Sequence, residues 1–304
     1  MELIQNKNIK YKTKIKVIVF KRGFIMIFSK MHGLGNDYIY FDCTKNNKIE
    51  NPEELAKRLS NRHTGIGGDG IILITKSSIT DFKMRMFNSD GTEAEMCGNG
   101  IRCVGKFIYD NKLSDKKDLT IETLSGIKKI RLNVMNEKVE TVTVNMGEPI
   151  LEPEKIPLNL EKVSSNSIYL KAEDKELKFT CVSMGNPHAV TIVNNLNEID
   201  INEYGPIIEN NPVFPNRTNV EFVEIVDRDN IKMRVWERGT GETLACGTGA
   251  SASAVACILN NLTNRRLNVH LLGGTLQILW EEKDNCVYMT GTAITVFNGE
   301  TVEE

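Results

Sequence analysis

Apolar residues fall on alternate positions in four stretches of the chain: Ile130, Leu132 and Val134; Val142, Val144 and Met146; Ile231, Met233 and Val235; Leu276, Ile278 and Trp280. A period of two puts such side chains on one face of the backbone, so these stretches predict strands with one face buried. A different period governs "NPEELAKRLSN", residues 51–61, where Leu55, Ala56 and Leu59 share one side of a helix. Asn51 stands at its cap and Pro52 at its first position, where a missing N–H costs nothing. After Cys97, Ile101, Val104, Gly105 and Ile108 again fit a helix, and after Cys246 the run "ASASAVACIL" is small or apolar almost all round. A helix without a polar face is expected to be buried centrally, its small side chains letting strands approach closely.

These elements occur twice. "MRMFNSDGTEAEMCGNG" (84–100) aligns without a gap on "MRVWERGTGETLACGTG" (233–249), an offset of 149 residues. Met84 and Arg85 fall on Met233 and Arg234, Asn88 on Glu237, and Cys97 on Cys246; Gly35 and Asn36 match Gly185 and Asn186 at nearly the same offset. The helix after Asn51 has its counterpart near Asn202. Internal repeats of this kind mark a duplicated unit. The expected fold is therefore α+β: two pseudo-symmetric domains from an internal duplication, each a mostly antiparallel sheet rolled around a central helix. Arg85 and Arg234, repeated on strands, are expected to form structural ion pairs.

Each copy places a cysteine before a Cys-Gly-x-Gly turn that opens a helix. Unpaired N–H groups and the macrodipole at a helix N-terminus favour negative charge, so a thiolate is expected to form more easily there. The same N–H groups can hold a carboxylate, and glycines leave room for it. Two thiols on opposite sides of a bound carboxylate suit the inversion of a stereocentre, one taking a proton from one face and the other returning one to the opposite face. The charge that gathers on the carboxylate is offset by the aimed donors. This chemistry requires no cofactor motif.

Composition narrows the alternatives. The 304 residues carry 38 Lys plus Arg against 40 Asp plus Glu, a balance that offers no reason to expect nucleic acid or anionic lipid as a partner; a small molecule fits better. No apolar run reaches the roughly 20 residues of a membrane helix. Seven cysteines without a C-x-x-C pair point to a reducing cytoplasm and away from a disulfide framework or a structural metal site, so cytoplasmic localisation and no metal are expected. Cys43, Cys103, Cys181, Cys257 and Cys286 are expected as packing residues; Cys103, six positions beyond Cys97, points some 240° round the helix from it. "GIGGDG" (65–70) satisfies G-x-G-x-x-G but follows a helix and precedes the strand "IILI", the reverse of a dinucleotide site, so a nicotinamide-dependent dehydrogenase is set aside. A thiol redox protein could use the two cysteines but not the polar residues around them; a binding module could use the polar residues but not the thiols.

Six segments in order, "KMHGLGNDY", "NRHTGIGGDG", "FNSDGTEAEMCGNGIRC", "VSMGNPHAV", "FPNRTNVEF" and "ERGTGETLACGTGA", resemble the diaminopimelate epimerase family from about Met26 to the C-terminus. The resemblance implies cofactor-independent interconversion of LL- and meso-2,6-diaminopimelate on the lysine and peptidoglycan-precursor pathway. It implies Cys97 and Cys246 as the catalytic pair; Asn36, Asn88, Asn186, Asn219, Glu237 and Arg238 as substrate-binding residues; Gly98, Asn99, Gly247 and Thr248 as carboxylate-holding turns; and His188 with Glu237 as groups that tune the thiols. Gly70, where family members often carry an amide or a bulkier side chain, is given no role. A racemase for proline, hydroxyproline or histidine on a related fold is the neighbouring alternative. In the family the last strand returns to the first domain, giving domains 26–146 plus 291–304 and 147–290. Residues 1–25, rich in Lys and Arg but without a signal peptide's apolar core, are read as an extension outside the fold, either a loose tail or an overlong start. A homodimer is the assembly considered, and nothing in the sequence sets it.

Overall fold

The computed structural model of the chain describes residues 25–45, 49–173 and 175–301. The expected extension lies outside the described residues, Ile25 excepted. In the first half the elements are β1 (Met26–Gly33), β2 (Asn36–Cys43), α1 (Pro52–Ser60), β3 (Gly70–Thr75), β4 (Phe82–Asn88), β5 (Glu93–Ala94), α2 (Gly98–Asp110), β6 (Asp118–Thr123), β7 (Gly126–Met135) and β8 (Lys138–Gly147). The second half runs β9 (Ser167–Ala172), β10 (Lys175–Ser183), β11 (Pro187–Val193), α3 (Ile201–Glu209), β12 (Asn219–Asp227), β13 (Asn230–Glu237), β14 (Gly241–Thr243), α4 (Gly247–Leu259), β15 (Arg266–Leu271), β16 (Gly274–Trp280), β17 (Val287–Thr292) and β18 (Ile294–Thr301).

Strand pairing repeats with the sequence. β1–β2 is antiparallel, β2–β3 parallel, β3–β4 antiparallel, β4–β6 parallel, and β6–β7–β8 antiparallel. The same succession runs through β10, β11, β12, β13, β15, β16 and β17. Parallel neighbours need a long crossover, and each carries a helix: α1 and α2 in the first half, α3 and α4 in the second. α2 and α4 line the inner face, as their apolar patterns predict. α1 and α3 cover the outer face, a position the sequence reading left open. The parity of β2 and β3 explains it: Tyr38, Tyr40, Ile72 and Ile74 pack inward, while Ile39, Phe41, Ile71 and Leu73 meet Leu55, Ala56 and Leu59 of α1. Buried on both faces, "IILI" reads as a continuous apolar run. Asn51 stands at the N-cap of α1, but its side chain makes no capping hydrogen bond; only its carbonyl accepts, from Leu55 N at 3.1 Å.

The halves are joined by the last strand. β9 pairs antiparallel with its neighbour β10 within the second half, whereas β18, in the equivalent place beside β1, comes from the end of the second half and pairs antiparallel with the first strand of the first. β8 and β17 pair with each other, so one sheet continues across the molecule. The inner cores around α2 and α4 are contiguous as well, and Met289 lies against the N-termini of both helices. Close approach is built in at Gly105, where a Cβ would stand 2.7 Å from Ile130 Cδ1, and at Gly70, where it would stand 2.0 Å from the Phe87 carbonyl oxygen. A side chain at Gly70 therefore has no room in this backbone.

The ion pairs expected at the repeated arginines are present, Arg85 Nε to Glu93 Oε1 and Arg234 Nε to Glu242 Oε1, both 2.7 Å, and the two glutamates are themselves 149 residues apart. "GIGGDG" follows α1 and runs into β3, as its reading as a turn before a strand requires. Cys103, Cys181 and Cys257 are buried, while Cys43 and Cys286 are half-exposed; all are free thiols. No described helix is long and apolar enough to cross a membrane, and the described residues contain no His/Cys/Asp/Glu group that could hold a metal ion.

Candidate active site

The two Cys-Gly-x-Gly turns meet. Cys97 and Cys246 are the N-cap residues of α2 and α4, both with extended backbone, and each thiol accepts a hydrogen bond from the third helical N–H: Gly100 N to Cys97 Sγ at 3.4 Å and Gly249 N to Cys246 Sγ at 3.3 Å. The helix ends abut glycine to glycine. A Cβ on Gly98 would lie 3.8 Å from Gly247 Cα, and one on Gly247 would lie 3.7 Å from Gly98 Cα, with Met289 against both. The N–H groups of Gly98, Asn99, Gly247 and Thr248, in the first turns of the two helices, have no intrahelical acceptor. Larger residues at the glycine positions would push the two ends apart.

Polar partners surround each thiol differently. Cys97 Sγ donates to Asn36 Oδ1 at 3.1 Å, and Asn36 Nδ2 is held by Asp69 Oδ2 at 2.7 Å. Cys246 Sγ lies 3.4 Å from Thr248 Oγ1, which accepts from Asn186 Nδ2 at 3.4 Å. Asn186 Oδ1 meets His188 Nε2 at 3.1 Å, and His188 Nδ1 meets Glu221 Oε1 at 2.6 Å, with both His188 and Glu221 0% exposed. Glu237 bonds Thr243 Oγ1 and acts on Cys246. The sheet register is the same in both halves, Tyr38 pairing with Gly70 across β2–β3 as His188 pairs with Asn219 across β11–β12, so the side chains at equivalent positions set this difference. At the 149-residue offset Ile72 stands where Glu221 does, and Asn88 where Glu237 does.

The expectation that helix ends ease thiolate formation is met only in part. Burial pushes both thiols above the ordinary cysteine range; the Gly100 and Asn99 N–H groups pull Cys97 back down, as does Arg102, while Glu237 raises it. Cys246 is pushed up further by burial and then by the Glu237 and Glu221 carboxylates, against Thr248 and Gly249. Glu237 is itself raised by burial and lowered by Thr243 and His188. Desolvating a thiolate outweighs the helix end.

Not every expected residue converges. Asn219 is buried, its amide donating to Pro187 O at 2.8 Å while its Oδ1 accepts from Arg238 N at 2.9 Å. The Arg238 guanidinium is exposed and donates to Asn216 O at 3.0 Å, and Asn88 Nδ2 donates to Thr92 Oγ1 at 3.0 Å. Asn88 is tied to its own turn, and Arg238 to the loop before β12. The Asn99 side chain turns away from the thiols, donating to Ala245 O at 3.0 Å and accepting from Arg102 Nη2 at 2.9 Å, which leaves its backbone N–H as the group available at the helix end. Asp69, Glu221 and Thr243 were missed by the sequence reading. Asp69 and Glu221 lie inside quoted motifs, "GIGGDG" and "NVEF", and each reveals itself only through the strand beside it.

A sequence profile described as diaminopimelate epimerase matches residues 28–152 and 180–296. A diaminopimelate epimerase of Methanococcus maripaludis strain C5 is 58% identical over 275 residues, covering 90% of this chain and 99% of the relative. One from Acetivibrio thermocellus is 56% identical over 275 residues, covering 90% and 98%. Among solved structures, a PhzF-family phenazine biosynthesis protein of Bacillus anthracis aligns with a TM-score of 0.67 at 19% identity over 92% of this chain and 99% of that one. A hydroxyproline epimerase of Agrobacterium vitis aligns at 0.63 and 14%, covering 94% of each chain. At such identities these two structures speak for the fold alone.

Proposed function

The chain belongs to the diaminopimelate epimerase family and is an amino-acid isomerase, and from that premise we propose that Cys97 and Cys246 epimerise LL- to meso-2,6-diaminopimelate as a two-base pair. The observation that carries this reading is the meeting of two equivalent helix N-termini, each capped by a cysteine, glycine against glycine. A substrate carboxylate set on the N–H groups of Gly98, Asn99, Gly247 and Thr248 would hold the α-carbon between the thiols. One thiolate removes the α-proton, the C–H electron pair becomes a second bond between the α-carbon and the carboxylate carbon as charge moves onto the carboxylate oxygens, and the opposite thiol delivers its proton to the other face of the α-carbon. Each aimed donor supports the charge that develops, by about 2.7–4 kcal/mol on the scale of oxyanion holes. The reverse reaction exchanges the roles of the two cysteines.

Asn36 and Asn186 are assigned to the polar floor beside each thiol, and His188 and Glu237 to setting the proton on Cys246. Asn88, Asn219 and Arg238 are assigned to the distal amino-acid end. Asn88 is held by its own turn and Arg238 by the loop before β12, and both would be drawn in as the halves close on substrate, a step that also expels water and strengthens the donors. By the return of β18, 26–146 with 291–304 and 147–290 are the units proposed to close.

The reading is tested by incubating the reduced, folded protein with LL-diaminopimelate in heavy water without added cofactor. Meso isomer carrying deuterium at the α-carbon is expected; the absence of both would overturn it. Arg238→Ala is expected to lower kcat/KM about 10- to 100-fold through loss of a charge-assisted contact, mainly in KM. A change confined to kcat would remove Arg238 from the binding role. The pH profile has a definite sign. Since burial raises both thiols, the singly deprotonated pair is scarce at neutral pH, and kcat/KM is expected to rise as pH increases through 7 towards the ordinary thiol range at about 8.5. A profile that is flat or falls over that interval would contradict a thiolate base.

A further inference from the structure

The interior holds a cation that the mechanism so far leaves without a task. Arg102, on the first turns of α2, is 0% exposed, and its hydrogen-bond partners are all neutral: Gly98 O at 3.1 Å and Met289 Sδ at 3.8 Å from Nη1, Asn99 Oδ1 at 2.9 Å from Nη2, and Thr292 O at 3.2 Å from Nε. No carboxylate pairs with it among the described residues. A buried charge is costly unless its environment repays it, and two glycines make the room: a Cβ on Gly33 would stand 3.0 Å from Nη2, and one on Gly291 3.1 Å from Nε. The other half has no counterpart. Ser251 occupies the equivalent position and, like Arg102, bonds the carbonyl one turn back, Oγ to Gly247 O at 2.9 Å, but brings no charge.

We propose that Arg102 is a positioning residue for this reaction: its guanidinium ties the N-terminus of α2 to the β17–β18 crossover and, through Asn99 and Ala245, to the turn carrying Cys246, and its charge makes Cys97 the first of the two thiols to ionise. The proposal rests on the assignment of Cys97 and Cys246 as the acid/base pair. The chain of contacts is continuous, Arg102 to Asn99 to the Ala245 carbonyl, the residue before Cys246. One side chain from the first half thereby sets the spacing of both cysteine turns.

The electrostatic side follows from what faces each thiol. Toward Cys97 stand Arg102 and Cys103 from α2, Tyr38 and Tyr40 from β2, and Glu237 from β13, with Asn36 in contact; Arg102 is the one cation of this set. Toward Cys246 stand two carboxylates, Glu237 and Glu221, the second bonded to His188. Duplicated thiols thus sit on opposite sides of a charge difference that the duplication itself does not contain.

The test reads each cysteine separately, without substrate. Iodoacetamide alkylation of the full-length reduced enzyme, followed by mass spectrometry as a function of pH, is expected to give a midpoint for Cys97 below that for Cys246. In Arg102→Gln the Cys97 midpoint should rise by about one pH unit or more, with a smaller change at Cys246, and kcat should fall at least about 10-fold with KM changed less. Arg102→Lys keeps the charge but not the fork, so it should restore the Cys97 midpoint without restoring full kcat. A wild-type midpoint lower at Cys246, or an unmoved Cys97 in folded Arg102→Gln, overturns the proposal. Should Arg102→Gln fail to fold, the wild-type order and Arg102→Lys decide it, a rise of a full unit in the lysine variant counting against it. Because these midpoints need no substrate, they separate this proposal from a failure of the diaminopimelate assay.

Discussion

Cys97→Ala and Cys246→Ala are each expected to abolish net epimerisation, lowering turnover by at least about three orders of magnitude, because each leaves one face of the substrate without an acid or base. Neither loss should follow from unfolding. Both cysteines cap helix ends whose remaining first-turn bonds are backbone, Ile101 N to Cys97 O and Ala250 N to Cys246 O, each 2.9 Å. The single variants carry a further expectation. A lone thiol can remove and return a proton on its own face only, so any residual exchange of the α-hydrogen with heavy water should be confined to the isomer that faces the remaining cysteine and should proceed without inversion. Full activity in either variant, or inversion in the absence of one thiol, would remove the two-base mechanism while leaving the fold untouched.

His188→Ala is expected to cost about 3 kcal/mol of stability, a large part of the 5–15 kcal/mol that holds a domain folded. His188 and Glu221 are wholly buried and 2.6 Å apart, and Glu221 Oε2 already has no hydrogen-bond partner. Removing the imidazole strands the second carboxylate oxygen as well. Burial pushes the Glu221 carboxyl up and His188 pulls it back, so the variant should hold Glu221 protonated over a wider pH range than the wild type. Glu221→Gln, which keeps an acceptor for the ring without the charge, should lose less. Urea unfolding at neutral pH checks both. An unchanged midpoint in His188→Ala would show that the pair contributes nothing to the fold. The activity of His188→Ala is also expected to fall, through Asn186 and Thr248, the contacts that link the ring to Cys246.

The sequence by itself carried a good deal of this. A fixed offset of 149 residues announced two copies of one unit, and alternation of apolar positions located β7, β8, β13 and β16 on their buried faces. The apolar run after Cys246 identified α4 as a helix enclosed on all sides, and Cys-Gly-x-Gly placed both thiols at helix ends. These features are legible because they are local: periodicity, caps and repeats depend on neighbours a few residues away, and a duplication copies them all.

What lay beyond the sequence depends on which strands become neighbours. The β8–β17 seam and the outer placement of α1 and α3 depend on contacts over long separations, which no local period encodes; the return of β18 to β1 is of the same kind and was implied by the family resemblance alone. The same holds for Glu221 beside His188, Asp69 behind Asn36, and Arg102 reaching Thr292 from 190 residues away. Burial had the last word on the thiols. A helix end alone favours the thiolate, yet burying it removes the water that would solvate its charge, so the sequence determined where the two cysteines stand and only the tertiary structure decided how readily each gives up its proton.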